Sequence, residues 1–286
     1  FLLALLHLSR LLFGPEFLSL GVLTTPLANT VGKWNDLGVL FAVVVLLSLS
    51  TFEMLQLTRV FRVLLYIAFI VSLLFLILIN FDIIWILLGI FSLVFFVYVF
   101  SLNRTGDTPD EIPPAPDPFD EYDAARSGES ESEKKVTVSL HALIVLVISV
   151  LFLMSGALSG ILTSYFGVSQ VEFRPSWRST AHVVQESLAD NPVLGVGPNQ
   201  FVQQWLMNKP DGVNQGLLWN VDFNRGVGFI PTEVATTGIL GGCAWIAFLG
   251  LFLYIGFRSL FTHIADPASR YLVTSSYLVA LFLWIV

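Results

Sequence analysis

Long apolar runs separated by short polar breaks dominate the chain. The runs occupy residues 1–13, 37–50, 63–80, 83–102, 138–159, 234–257 and 271–286. Several approach or reach the roughly 20 residues that a helix needs to cross about 30 Å of hydrocarbon, although the second run is short. Membrane strands would alternate apolar and polar residues, whereas residues 63–78 are apolar on every face. The pattern predicts an all-α, polytopic transmembrane helical bundle in a lipid bilayer.

Polar segments between the runs define the predicted organisation. It comprises transmembrane helices 1–4 over residues 1–102, an acidic loop over 103–137, transmembrane helix 5 over 138–165, a large polar loop over 166–232, and transmembrane helices 6 and 7 over 233–286. The chain starts at Phe1 and stops at Val286 inside apolar runs. We therefore expect a fragment truncated at both ends.

The acidic loop 103–137 accounts for most of the charge. Ten of the 21 acidic residues fall between Asp107 and Glu133, among several prolines, and the net charge of the chain is -7. With hardly any aliphatic side chains, this loop cannot offset the entropy cost of ordering. We predict a disordered cytoplasmic linker, with an acidic docking tail as the alternative.

Arginines near the span ends set the predicted orientation, because cytoplasmic loops retain positive charge. Arg59 and Arg62 mark the loop before the third run as cytoplasmic, and two further arginines mark the loop after the sixth. Alternation then places the loop 166–232 on the extracytoplasmic side. Its many aromatic residues imply a folded, partly helical cap or packing at the membrane interface.

Composition narrows the function classes. Only 12% of residues are charged and 55% are hydrophobic, whereas soluble domains are near one quarter charged. The single cysteine excludes a disulfide framework, and no histidine or cysteine pair has metal-ligand spacing. Neither a cofactor, a metal nor a nucleic-acid partner is predicted. A transporter is disfavoured because the spans hold almost no ionisable residue, with His7 and Arg10 as exceptions.

A helix is predicted inside the large loop, beginning near Pro175 and ending before Asn191-Pro192, because proline is tolerated only at a helix start. Its apolar stripe would consist of Trp177, Ala181, Val184 and Leu188. Its other face would carry, one turn apart, Arg174, Arg178, His182 and Glu186. These polar residues either line a site or form a solvated face with an ordinary Glu/His pair.

Residues 190–201, DNPVLGVGPNQF, resemble the N-P-x-x-G-x-G-x-x-x-F signature of the O-antigen ligase and O-antigen polymerase family. Residues 238–241, GILG, are similar to the G-x-x-G motif that opens the family's next span. A weaker similarity lies in residues 32–36, GKWND, at an earlier span entrance. The chain departs from the family at the His-Asn pair, replaced by Val227 and Gly228, and at a glutamate replaced by Thr236.

The resemblance implies a bacterial inner-membrane glycosyltransferase of cell-envelope polysaccharide, such as lipopolysaccharide. Such an enzyme transfers a glycan from a polyprenyl diphosphate donor to a hydroxyl of an acceptor glycan, lipid or protein, with inversion and without a cofactor. The missing His-Asn pair leaves a second reading open. In that reading the chain is a non-catalytic relative that binds lipid-linked glycan or scaffolds polysaccharide assembly.

Site residues follow from matching this chemistry to the loop. Arginine binds diphosphate oxygens through paired charge-assisted hydrogen bonds, and the candidates are Arg174, Arg178 and Arg225. His182 and Glu233 are candidates for the general base. The signature turn would contribute further substrate contacts through Asn191, Gly195, Gly197 and Asn199, or would let the backbone lie tightly against a span. Alternatively, Arg225 pairs with Asp222 or anchors to lipid headgroups, and Glu233 is a first-turn carboxylate favoured by the helix dipole.

Overall fold

The computed structural model describes residues 2–14, 16–19, 21, 23, 29–105, 139–155, 175–210, 220–262, 264 and 266–286. Over these ranges the chain is helical and contains no strand. The helices are α1 (Leu2–Phe13), α2 (Trp34–Met54), α3 (Arg59–Ile79), α4 (Asp82–Thr105), α5 (Leu140–Met154), α6 (Trp177–Asp190), α7 (Phe201–Asn208), α8 (Phe229–Leu260) and α9 (Pro267–Ile285). The all-α prediction is confirmed.

Five of these helices, α2, α3, α4, α8 and α9, are long and apolar enough to cross a membrane, and α1 and α5 are shorter apolar helices. The chain is therefore a multi-pass membrane protein. The second apolar run, predicted to be short, is part of a 21-residue helix. Polar residues extend it at both ends, and the backbone N–H of Lys33 donates to Asp36 Oδ2 at 2.8 Å across its first turn.

Two predicted segments fall largely outside the described residues. The acidic loop was predicted to begin at residue 103, but α4 continues to Thr105. The rest of that loop, from residue 106, is not described. The start of the large loop, including Arg174, is not described either.

The chain divides into two compact units, residues 1–170 with 262–286, and residues 171–261. The first unit contains α1 to α5 and α9, packed around an apolar core in which Phe41 and Phe75 stack with ring centroids 4.4 Å apart. The tight turn between α3 and α4 depends on Asn80, whose φ is 47°. Asn80 Oδ1 also accepts from Trp85 Nε1 at 2.9 Å, so the buried indole donor is satisfied.

A polar cluster joins the ends of three helices in the first unit. Ser139 Oγ donates to Glu53 Oε1 at 2.7 Å, and His141 Nδ1 lies 3.4 Å from the same oxygen. His141 Nε2 lies 3.0 Å from the Tyr66 hydroxyl, and the imidazole stacks on Phe52 at 4.4 Å. The carboxylate thus ties α2 to the start of α5 at the point where the acidic loop ends.

The second unit consists of α6, α7 and α8 around a small aromatic core. Trp205 and Phe223 form an edge-to-face pair at 5.1 Å, and Phe201, Val183 and Ala235 complete the buried cluster. All five side chains are nearly inaccessible to solvent. This core fixes α6 and α7 against the first part of α8.

Helix α8 is broken at Gly238, where φ is 70° and ψ is -169°. The rings of Phe229 and Trp245 are in edge-to-face contact at 4.8 Å. In an unbroken helix their Cα atoms would lie about 24 Å apart along the axis. In addition, a Cβ on Gly242 would come within 2.7 Å of Val234 Cγ2. Residues 229–237 therefore fold back toward residues 242–245, and the break at Gly238 lies inside the predicted sixth span.

Candidate functional site

Helix α6 lies where the sequence predicted a helix. Ser176 caps its start, since Ser176 Oγ accepts from the backbone N–H of Ser179 at 3.0 Å. Pro175 precedes the cap and stays outside the helix. At the other end the backbone N–H of Asn191 donates to Ser187 O at 3.2 Å, and Pro192 ends the helix.

The buried face of α6 differs from the predicted apolar stripe. The buried residues are Ser179, Thr180, Val183 and Ser187. Trp177 is 65% exposed and Ala181 is exposed, while Val184 and Leu188 are only half-buried. Hydroxyls can occupy the buried face because they are paired. Thr180 Oγ1 accepts from the backbone N–H of Val227 at 2.9 Å, and Ser187 Oγ donates to Val183 O at 2.7 Å.

The predicted polar face of α6 is exposed, with Arg178, His182 and Glu186 on it. His182 Nδ1 lies 4.0 Å from Glu186 Oε1, and the two side chains are 44% and 47% exposed. A pair of this length and exposure contributes little to stability. The face is consequently available to solutes, and His182 is accessible one turn after Arg178.

The glycine signature forms a backbone connection to the break in α8, which we call the loop–helix clamp (residues 192–197 bonded to residues 235–240). The backbone N–H groups of Val196 and Gly197 donate to Ala235 O at 3.2 Å and to Thr236 O at 2.8 Å. In the opposite direction, the N–H groups of Ile239 and Leu240 donate to Pro192 O at 2.9 Å and to Val193 O at 3.2 Å. The clamp therefore pairs four backbone groups that the broken helix cannot pair internally.

Glycine is required at two points of the clamp. Gly195 has φ 65°, and a Cβ built there would lie 2.5 Å from Gly238 N. Gly238 has φ 70°, and a Cβ built there would overlap the carbonyl of Val193. Of the two roles that the sequence left open for Gly195, close approach to a span is the one that the structure shows. A contact of Gly195 with substrate stays a prediction.

The other signature residues lie around the clamp. Gly197 has φ 104° and supplies one of the four N–H donors, so its backbone is committed to α8. Asn191 and Asn199 are exposed, and Asn199 adopts a left-handed conformation with φ 61°. Both amide side chains are accessible to a ligand, and their substrate contacts stay predictions.

Arg225 belongs to a segment that packs on the first half of α6. Its neighbour Gly226 lies so close to Thr180 that a Cβ would overlap the threonine methyl. Gly228, with φ 82°, lies beside Trp177, whose ring would be 3.4 Å from an added Cβ. Arg225 and Asp222 are both exposed, and among the described residues no ion pair joins them. Arg225 and Arg178 thus both lie toward the N-terminal end of α6.

Two positions that the sequence resemblance matches to ionisable groups hold none here. Val227 is buried, with 7% exposure, and Thr236 is buried, with 6% exposure. The Thr236 hydroxyl donates within its own helix, to Thr232 O and Glu233 O at 3.2 Å. Neither position supplies a base.

Glu233 is half-buried and lies beyond the first turn of α8, because the helix begins at Phe229. The interpretation of Glu233 as a first-turn carboxylate is therefore wrong. Its backbone carbonyl accepts from the Thr237 hydroxyl at 2.6 Å. Among the described residues, no hydrogen bond or ion pair joins its carboxylate to Arg178 or His182.

The chemistry available to the site is that of two guanidinium groups and an imidazole on an exposed surface. Within the described part of the chain, no group of three histidine, cysteine or acidic side chains is placed to hold a metal ion.

Protein-family models, curated proteins and solved structures contain no match to the chain.

Proposed function

We propose that the chain is a membrane glycosyltransferase of the O-antigen ligase or polymerase type. It transfers a glycan from a polyprenyl diphosphate donor to an acceptor hydroxyl at the extracytoplasmic face. The observation that carries the proposal is the loop–helix clamp. Two motifs that resemble the family lie about 40 residues apart in the sequence, and four backbone hydrogen bonds join them. An accidental match of letters would give no reason for the two motifs to meet.

The exposed arginines suit the donor. Arg178 and Arg225 lie toward the same end of α6, on a surface that solutes reach. A planar guanidinium binds two phosphate oxygens at once and keeps its charge at any working pH. Negative charge that builds on the bridging oxygen as the glycosidic bond breaks is stabilised by such fixed cations. This accounts for leaving-group departure by protein side chains alone.

The acceptor hydroxyl needs a proton acceptor within hydrogen-bond reach. His182 is the better placed candidate, because it is accessible and one turn from Arg178 along α6. Glu233 is the second candidate and lies half-buried in α8. Replacement of the residue that acts as the base should lower turnover while donor binding persists. His182→Ala and Glu233→Ala therefore distinguish the two candidates.

The test is glycan transfer by the full chain in nanodiscs, supplied with a polyprenyl diphosphate glycan and a candidate acceptor. We expect Arg178→Ala to lower turnover about 100-fold or more, the usual effect of removing one group that stabilises transition-state charge. Gln185→Ala, an exposed change on the same helix, is the matched control and should leave turnover unchanged. Equal turnover in both variants would remove Arg178 from the site.

A second candidate function is a non-catalytic relative that binds lipid-linked glycan. The observation in its favour is the replacement of the His-Asn pair by buried Val227 and by Gly228. In that case the wild-type chain binds the donor without turnover across several acceptors. Arg178→Ala then weakens donor binding, and His182→Ala leaves it intact.

A further inference from the structure

The folded-back helix changes where the membrane boundary can lie. By length alone, the 32 residues of α8 could form one tilted span, with its midpoint near Cys243. The contact of Phe229 with Trp245 rules out a straight helix. Gly238 is instead a corner, about 10 Å along the axis from Trp245. Only the part of α8 beyond the corner is available to cross the bilayer.

Neighbouring aromatic side chains extend from this span onto the rest of the second unit. Trp245 contacts Phe248 edge-to-face at 5.7 Å and Phe229 at 4.8 Å. Trp177, which is 65% exposed, lies beside Gly228, the residue before Phe229, with its ring 3.4 Å from the position of an added Cβ. Phe229 and Phe248 are 50% and 51% exposed. We call these four side chains, Trp177, Phe229, Trp245 and Phe248, the aromatic rim.

Charge places the rim at the edge of the hydrocarbon rather than within it. Arg178 follows Trp177 directly, and Arg225 lies just before Gly228, and both are exposed. Neither charge could be held in hydrocarbon at low cost. Tryptophan beside arginine is typical of the membrane–water interface, where the ring contacts the glycerol region and the cation contacts anionic headgroups.

The remaining length agrees with this boundary. Residues 243–260 form a helical stretch about 27 Å long, close to the roughly 30 Å of hydrocarbon. At its far end Phe257 and Phe261 are exposed and in contact at 4.8 Å, next to Arg258. Aromatic residues and arginine thus occur at both ends of the stretch, as in a span with two interfacial belts.

We propose that the aromatic rim is a lipid-contacting surface at the interface of the bilayer, with Trp177 and Phe229 in contact with phospholipid glycerol and headgroup regions. The rim continues the lipid-facing surface of α8 onto α6. The corner at Gly238 then lies outside the hydrocarbon, about 10 Å beyond Trp245. The rim and its flanking arginines belong to α6, to α8 and to the segment just before α8, so the lipid contact is independent of glycosyl transfer.

The single cysteine of the chain provides the test, since Cys243 is exposed and lies two residues before Trp245. The full chain is placed in phosphatidylcholine/phosphatidylglycerol nanodiscs and treated with a charged maleimide that does not enter hydrocarbon. We expect Cys243 to react at a rate within about tenfold of a water-exposed reference, Asp190→Cys in a Cys243→Ala background. Leu251→Cys in the same background, deeper in the span, should be at least 100-fold slower. Protection of Cys243 equal to that of Leu251→Cys would overturn the proposed boundary.

A second measurement tests the lipid contact itself. Trp177→Cys in the Cys243→Ala background carries a fluorophore, and Gln185→Cys is the matched control on the same helix. We expect headgroup nitroxide lipids to quench position 177 at least twofold more than position 185, and more than nitroxides deep in the acyl chain do. Equal quenching at the two positions, or stronger quenching by the deep nitroxide, would refute the rim as an interfacial surface.

Discussion

Replacement of Gly238 by alanine is the sharpest test of the loop–helix clamp. The backbone there adopts φ 70° and ψ -169°, a region that is essentially restricted to glycine and costs other residues about 1–3 kcal/mol. The added Cβ would also overlap the Val193 carbonyl, which accepts the N–H of Leu240. Relief of that overlap requires the loop to move away from α8.

The free energy by which Gly238→Ala favours opening of the clamp follows from the backbone strain and the hydrogen bonds that would be lost. The clamp holds four backbone hydrogen bonds, each with a net contribution of about 1 kcal/mol. Loss of two of them, added to the backbone strain, gives about 3–5 kcal/mol for local opening of the clamp. That free energy corresponds to a rise of roughly 100-fold or more in the opening equilibrium.

Amide hydrogen exchange of the full chain in detergent measures this opening residue by residue. We expect the N–H groups of Val196, Gly197 and Leu240 to exchange at least 100-fold faster in Gly238→Ala. Gly250→Ala is the matched control in the same helix, because a Cβ there meets nothing within 4 Å. It should keep wild-type exchange at the clamp. Equal protection in the two variants would show that the corner tolerates a side chain and would refute the clamp as the reason for glycine.

Three further predictions concern single side chains. Thr180→Val should cost about 1–3 kcal/mol of unfolding free energy, because the buried N–H of Val227 loses its acceptor, and Thr180→Ser should restore it in denaturant titrations. Glu53→Gln should cost about 1 kcal/mol, because the neutral amide keeps the hydroxyl contact but loses charge-assisted strength; an unchanged Tm would contradict this. The hydroxyl and backbone N–H of Ser269 hold the pKa of Asp266 below its ordinary value. Its stabilising contribution is therefore present above the unfolded-state pKa and is lost as pH falls through the folded-state pKa, so Asp266→Asn should flatten the acid limb of a Tm–pH curve.

The helical class and most spans could be predicted because they depend on local hydropathy, which the sequence contains in full. Helix α6 was predictable from local sequence too, because Pro175 and Pro192 flank its two ends. Its buried face was not predictable from hydropathy. Thr180 is buried because a segment 47 residues away donates to its hydroxyl, and no periodicity within the helix records that partner.

The break in α8 was likewise not predictable from hydropathy. The apolar run continues through Gly238, so hydropathy alone predicts one span. The chain turns there because a distant loop supplies partners for the backbone groups that the turn releases. Only the glycines of the two motifs indicated a close approach of the backbone, and they did not indicate that the helix folds back. Likewise, the approach of Arg225 to the start of α6 depends on Gly226 and Thr180, which no motif includes.

The clamp also has a consequence for how the protein is made. The loop at residues 192–197 leaves the ribosome before residues 235–240, and about 40 residues of synthesis, a few seconds, separate them. A nascent apolar helix that enters the bilayer without the loop would stay straight, because a straight helix pairs all of its interior backbone groups by itself. The loop has then already been translated and can pair with the emerging helix at its corner. Delivery of the loop after the helix, for example from a chain circularly permuted between residues 197 and 229, should therefore trap a straight span and a misassembled unit.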